Sequence, residues 1–327
     1  YLPVGKMVDE RVIVNGLVAL LATGGSTNLT MHLVSMAKAA GIIINWDDIS
    51  ELSEVVPQLC KIYPNGPADI NCFQAAGGTA VLVRELLKGE LLHEDVDTVV
   101  GRGLSRYTRE PVLQDGQLVY RDGPIKSLDD SIIASIDKPF STHGGLKVMC
   151  GNLGRAVMKT SAIDLAKQII EAPAVVFNSQ YDLDAEFQAG NLDKDCVVVV
   201  RYQGPKAIGM PELHKLITPL GVLQDRGFKV ALLTDGRLSG ASGKVPAAIH
   251  VTPEACEGGL LNKVQSGDLI RINGQTGEMT LLVDDAILSA RDVEQIDFST
   301  SYFGCGRELF NVLRKNLSSA EEGADSF

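Results

Sequence analysis

A chain of 327 residues, 45% hydrophobic and 22% charged with a net charge of −11, has room for two globular domains of ordinary size. Its acidity disfavours nucleic acid and anionic membranes as partners, while leaving room for a locally basic pocket that takes an anionic substrate. No apolar run reaches the roughly 18 residues of a membrane helix, and six scattered cysteines without a C-x-x-C pair argue against structural zinc and a disulfide framework and for a reducing cytoplasm.

The opening Tyr1-Leu-Pro-Val-Gly5 carries no initiator Met and no secretory signal, and reads as the start of a fragment. Apolar periodicity predicts a helix over 8–23, ended by Gly24-Gly25. Ser26-Thr27-Asn28 then offers a capping cluster for a second helix over 29–40. Further helices are predicted over 47–59, over 73–87 with a weak spot at Gly77-Gly78, and over 93–106, with the loop Tyr63-Pro-Asn-Gly-Pro67 between. Residues 111–150 read as turn-rich. β-branched apolar runs follow at 174–177, 196–202, 228–234, 269–272 and 279–283, with short helices expected over 181–189, 211–217 and 221–226. The fold class expected is α/β: the remainder of an α/β N-terminal domain, then a β/α domain with a swivelling or barrel-like sheet, the boundary falling near 130–140.

Two strand exits hold the densest polar chemistry. The run ending at Tyr202 opens into Gln203-Gly-Pro-Lys-Ala-Ile-Gly-Met-Pro-Glu212-Leu-His214-Lys215, and the run ending at Thr234 opens into Asp235-Gly-Arg-Leu-Ser239-Gly-Ala-Ser242-Gly-Lys244. Loops at the C-terminal ends of strands are the usual ligand sites of α/β folds. Three familiar signatures fail here. Gly243-Lys244 lacks the P-loop's leading Gly and trailing Ser or Thr. Ser26, Ser239 and Ser242 lack the paired glycines of a nucleophile elbow. Gly101-Arg-Gly103 lacks the third glycine of a dinucleotide fingerprint.

Five strings match a known pattern: Leu21-Ala-Thr-Gly-Gly-Ser-Thr-Asn28, Tyr63-Pro-Asn-Gly-Pro-Ala-Asp69, Gly151-Asn-Leu-Gly-Arg155, Gly209-Met-Pro-Glu212 and Thr234-Asp-Gly-Arg-Leu-Ser-Gly240. In this order they resemble the dihydroxyacid dehydratase and 6-phosphogluconate dehydratase family over nearly the whole chain. The variants Pro211-Glu-Leu-His-Lys215 and Gly240-Ala-Ser-Gly-Lys-Val-Pro-Ala-Ala-Ile-His250 look like its 6-phosphogluconate branch. Cys72 and Ile208 depart from that branch, which tends to have His and Asn there.

The resemblance implies a hydro-lyase of the Entner–Doudoroff route that converts 6-phospho-D-gluconate to 2-keto-3-deoxy-6-phosphogluconate. It implies an iron–sulfur cluster, taken as 4Fe–4S, with no ligand among the six cysteines here and its Cys ligands upstream of this chain, together with Mg²⁺. It assigns Glu212 as a metal ligand and Ser239 as the base, 1–135 as the C-terminal part of the cluster-binding domain, 136–327 as the domain carrying the metal-ligand and base loops, and a homodimer. A carboxylate suits Mg²⁺. A serine hydroxyl removes a proton only as an alkoxide stabilised by nearby positive charge or N–H donors. For the substrate's phosphate and hydroxyls the candidates are Lys244 and Ser242, then Arg155 with Lys159, and Ser26, Thr27 and Asn28.

Plainer roles stand beside each of these. Ser26, Thr27 and Asn28 make a helix cap, Arg155 can pair with a carboxylate, and His214 and His250 read as structural rather than acid–base groups. Two other functions remain open at this level: a dehydratase of the same family acting on an unphosphorylated dihydroxy or sugar acid, and a non-catalytic α/β binding protein.

Overall fold

The computed structural model describes residues 1–238 and 244–327, the side chain of Ser301 excepted. Two compact units emerge, one of residues 1–26 and 36–145, the other of 27–35 and 146–327.

The first unit is mostly helical. Its elements are α1 (Val4–Met7), α2 (Glu10–Thr23), the end of α3 (Leu29–Ala39), α4 (Trp46–Val55), α5 (Ile70–Ala75) and α6 (Gly78–Lys88), followed by the short strands β1 (Asp97–Thr98) and β2 (Gly101–Arg102) and the hairpin β3 (Arg109–Gln114) and β4 (Gln117–Asp122). The Asp9 carboxylate accepts the Val12 N–H at 3.0 Å and starts α2. Gly24, in the left-handed region, ends it. Leu17, Leu21, Trp46, Leu59 and Ile133 form the buried centre.

One expectation fails in this unit and another holds only in part. Residues 93–106 are not one α-helix, and only Leu104–Thr108 coils, as a short 3₁₀ helix: Gly101 and Gly103 take φ values of +114° and +100°, outside the helical region, and the Asn15 amide clamps the backbone of His93 through two hydrogen bonds of 3.0 and 2.8 Å. Residues 111–150 are more ordered than their composition suggests, because Asp115-Gly116 turns the β3–β4 hairpin.

The second unit is built on a closed barrel. Its strands are β5 (Leu146–Gly151), β6 (Gly154–Lys159), β7 (Ile169–Phe177), β8 (Cys196–Val200), β9 (Val230–Thr234), β10 (Ala247–Thr252), β11 (Leu269–Asn273) and β12 (Glu278–Leu281). They close in the order β10-β6-β5-β12-β11-β7-β8-β9. The barrel-like α/β fold expected from the sequence is what is found. Strands β7, β8, β9 and β10 run parallel, so their C-terminal ends share one rim. The interior is filled by alternate side chains, among them Ile170, Ala172, Val197, Val199, Leu233 and Met279. The intervening residues of β8 and β9 are buried as well, so both strands read as unbroken apolar runs.

Around the barrel lie α7 (Gln180–Gln188), α8 (Pro205–Ile208), α9 (Ile217–Asp225), α10 (Asp285–Ala290) and α11 (Asn311–Lys315). The helix expected over 211–217 is absent, because the backbone at Glu212 pairs instead with Arg237. The one expected over 221–226 starts earlier, at Ile217, with Pro219 in the first turn where its missing N–H costs nothing. Strands β5, β6 and β10 were not foreseen. No helix among the described residues is long and apolar enough to cross a membrane.

Candidate active site

The rim formed by the parallel strand ends is organised by two buried carboxylates. Asp235, directly after β9, is fully buried. It accepts the N–H groups of Tyr202 (3.0 Å) and Gln203 (2.8 Å) at the exit of β8 and of Ala255 (3.0 Å) beyond β10. Burial pushes its carboxyl up to about 7, against the pull of those N–H donors. Glu254, 5% exposed, accepts the N–H groups of Lys206 (3.0 Å) and Ala207 (3.2 Å) at the start of α8. Burial raises its carboxyl too. The approach is close enough that a Cβ on Gly204 would lie 2.2 Å from the Glu254 carboxylate, so only glycine fits there. The exit of β8 is thus suspended between two acids. Within it Tyr202 and Met210 both hold positive φ, a strain that persists where surrounding contacts fix the chain.

Glu212 follows. Its backbone forms a parallel bridge to Arg237, and the Leu213 N–H donates to the Arg237 carbonyl at 3.2 Å. The Arg237 guanidinium donates from Nε to the Met210 carbonyl and from Nη1 to Glu212 Oε2, both at 2.6 Å. The pair is about one-third exposed, at 29% and 31% of the two side chains. Glu212 Oε1 is buried and has no hydrogen-bond partner among the described residues. A lone buried carboxylate oxygen is the donor type a hard divalent cation takes, so Glu212 fits a metal through that oxygen. No cluster of three His, Cys, Asp or Glu able to hold a metal is present among the described residues, so Glu212 would be one ligand of a set completed elsewhere.

Arg237 stands two residues before Ser239, and the carboxylate loop therefore meets the β9 loop just ahead of the expected base. Ser239 and Ser242 themselves lie outside the described residues. Leu238 is buried, and its carbonyl accepts from Thr27 Oγ1 at 3.4 Å. That contact brings Thr27, 2% exposed, to the same place. Asn28 is half-buried at the head of α3, where its carbonyl accepts the His32 N–H. Ser26 belongs to the first unit. Lys244 is exposed on the return of the β9 loop. Arg155 sits across from Thr252 at the exit of β10, with its Nε on Glu321 at 2.9 Å. Lys159 is 5% exposed at the end of β6, and burial lowers its ammonium to about 8.

Residues that sequence reasoning passed over shape this rim. Asp235 and Arg237 lie within Thr234-Asp-Gly-Arg-Leu-Ser-Gly240, where the sequence points to the serine alone. Glu254 carries no local signal, because its role arises from the chain crossing back after β10. His250 is fully buried at a register slip between β10 and β6, with φ +60°. Its N–H reaches the Gly236 carbonyl at 3.0 Å and its Nδ1 lies 3.5 Å from Thr30 Oγ1. Burial, then the charges of Arg237 and His32, hold its imidazole down at about 3, so it is neutral near pH 7. A cleft of about 390 Å³ beside Phe177, Asn178, Asp182, Arg201 and Ser266 contains none of the candidates.

The candidate residues thus gather at the C-terminal rim of the parallel strands of an α/β barrel, a common place for the ligand site of an enzyme of this class. Comparison narrows it. The family model described as dihydroxy-acid/6-phosphogluconate dehydratase C-terminal matches residues 131–324, and its N-terminal counterpart matches 2–107. The chain belongs to that family. It is 70% identical over 324 residues to phosphogluconate dehydratase of Escherichia coli (strain K12), covering 99% of this chain and 54% of that protein. It is 62% identical over 327 residues to phosphogluconate dehydratase of Pseudomonas aeruginosa, covering 100% and 54%. Against dihydroxy-acid dehydratase of Caldanaerobacter subterraneus it is 35% identical over 290 residues, covering 88% and 49%. The chain spans about half the length of the curated relatives it matches.

Proposed function

We propose that this chain is the C-terminal portion of an enzyme that removes water from 6-phospho-D-gluconate to give 2-keto-3-deoxy-6-phosphogluconate. The observation that carries the reading is the Glu212–Arg237 contact, which joins the residue two before Ser239 to a carboxylate whose other oxygen has no partner among the described residues. Its 70% identity to a phosphogluconate dehydratase, against 35% to a dihydroxy-acid dehydratase, supports the phosphorylated substrate over its unphosphorylated rival and over a non-catalytic role.

In this reading Ser239, as an alkoxide, takes the proton from C2, the C3–O bond breaks, the departing hydroxide takes up a proton so that the net loss is one water with Ser239 later giving up its own, and the enol so formed tautomerises to the 2-keto acid. When bound, an iron–sulfur cluster held by cysteines outside this chain supplies the Lewis acid for the departing hydroxyl, and a divalent cation on Glu212 offsets negative charge developing beside the substrate carboxylate. Lys244 and Ser242 receive the 6-phosphate, and Thr27 and Asn28, with Ser26, receive its hydroxyls. Arg155 would have to exchange Glu321 for the phosphate to take part. Residues 1–135 complete the cluster-binding domain and 136–327 supply the metal-ligand and base loops. The enzyme works in the cytoplasm as a homodimer.

Turnover of 6-phosphogluconate and of gluconate by the full-length enzyme tests the substrate. The phosphate should raise kcat/KM by about 10²-fold or more, and Lys244→Ala should remove most of that gain, as expected for a charge-assisted phosphate contact. Equal turnover of both substrates would refute the phosphate reading.

A further inference from the structure

Arg237 is better placed than a loop arginine with no task. Its guanidinium spans two adjacent acceptors on the neighbouring loop, the Met210 carbonyl and Glu212 Oε2, and its own carbonyl takes the Leu213 N–H. Both faces of the Met210–Leu213 segment are therefore pinned by one residue, at the point where Met210 holds a φ of +50°. The guanidinium occupies one oxygen of Glu212 and leaves the other, buried and without a partner among the described residues.

We infer that Arg237 is a positioning residue for the divalent cation: it ties down Glu212 Oε2, so that Oε1 alone, in one fixed direction, is presented to the metal. The inference rests on the proposed role of Glu212 as a metal ligand. An arginine beside a cation site also repels the cation, so its presence there is costly unless geometry outweighs charge. That opposition makes the idea separable by substitution. Lysine keeps the charge and loses the planar fork that meets two acceptors at once.

Mn²⁺ alone, titrated into the full-length holoenzyme and followed by the electron paramagnetic resonance signal of free Mn²⁺, is the probe. Glu212→Gln should abolish the site. R237K should weaken Mn²⁺ by about tenfold, the usual scale for losing a partner that orients a ligand, with its thermal melt still cooperative. R237K should have no further effect in the E212Q background. Unchanged Mn²⁺ affinity in R237K, with E212Q lost, overturns the inference and leaves the metal role of Glu212 standing. Unchanged affinity in E212Q overturns both. Should R237K not fold, R237A is read instead: weaker Mn²⁺ binding restored by added methylguanidinium supports the inference, and tighter binding, or no response to methylguanidinium, shows that Arg237 acts by charge and overturns it.

Discussion

At the scale of single residues, the rim is a place where carboxylates are buried against backbone N–H groups. A buried carboxylate without a cation is a costly group, yet Asp235 and Glu254 each take that position and spend their oxygens on backbone N–H groups of the strand exits. Glu212 differs from both in that one of its oxygens has no partner among the described residues. Glu212→Gln should therefore lower kcat/KM by about 10²-fold or more, on the scale of removing one group that stabilises transition-state charge, while leaving the thermal melt nearly unchanged. Steady-state kinetics beside calorimetry check this; a melt that collapses with the activity would mark Glu212 as structural. His250 makes a prediction in pH. Its folded-state value, about 3, lies below its ordinary 6.5. Between those values the unfolded chain binds the proton and the folded chain does not, so this contribution is complete above pH 6.5 and is lost as pH falls towards 3. Asp235, raised to about 7, works in the opposite sense, its contribution falling as pH rises from 3.8 to 7. Chemical denaturation of His250→Asn across pH 4–8 should show a shallower acid loss than the parent. An identical slope would contradict a neutral buried imidazole.

At the scale of elements, the sequence was legible where a strand is buried on both faces. The runs at β8 and β9, five residues each, are dominated by valine and leucine up to the closing Thr234, and apolar runs this short and this rich in valine suit a buried strand better than a helix. Strands β5, β6 and β10 hid because their apolar residues are interrupted by Lys147, Arg155 and His250, whose places depend on partners remote in the chain. The β3–β4 hairpin had a local signal in Asp115-Gly116, overshadowed by the turn-rich surroundings. Loops followed the same rule: the 209–212 string announced a carboxylate, but nothing local announced that its backbone would pair with Arg237 and so forgo a helix. Barrel filling sets the stability of the whole element. Leu233→Ala, deep in the barrel, should cost about 2–5 kcal/mol through lost burial and a residual cavity, seen as a lower denaturation midpoint with little change in slope. A loss below about 1 kcal/mol would mean the interior is loosely packed.

At the scale of the molecule, a net charge of −11 sits beside a proposed anionic substrate. The exposed Lys244 and the Glu321-paired Arg155 are among the cations that could reconcile the two. The fold class followed from composition and strand pattern, while the pairing of the two rim loops required the barrel to close and could not be read from spacing. The proposed reaction depends on Ser239 drawing a proton from C2. The most direct test is 6-phosphogluconate labelled with deuterium at C2, followed by mass spectrometry during turnover by the full-length enzyme and by its Ser239→Ala variant. Loss of label and product formation by the parent, with both slowed about 10²- to 10⁴-fold in the variant while substrate and metal still bind, is the predicted result. Label loss at the parental rate in Ser239→Ala would contradict it.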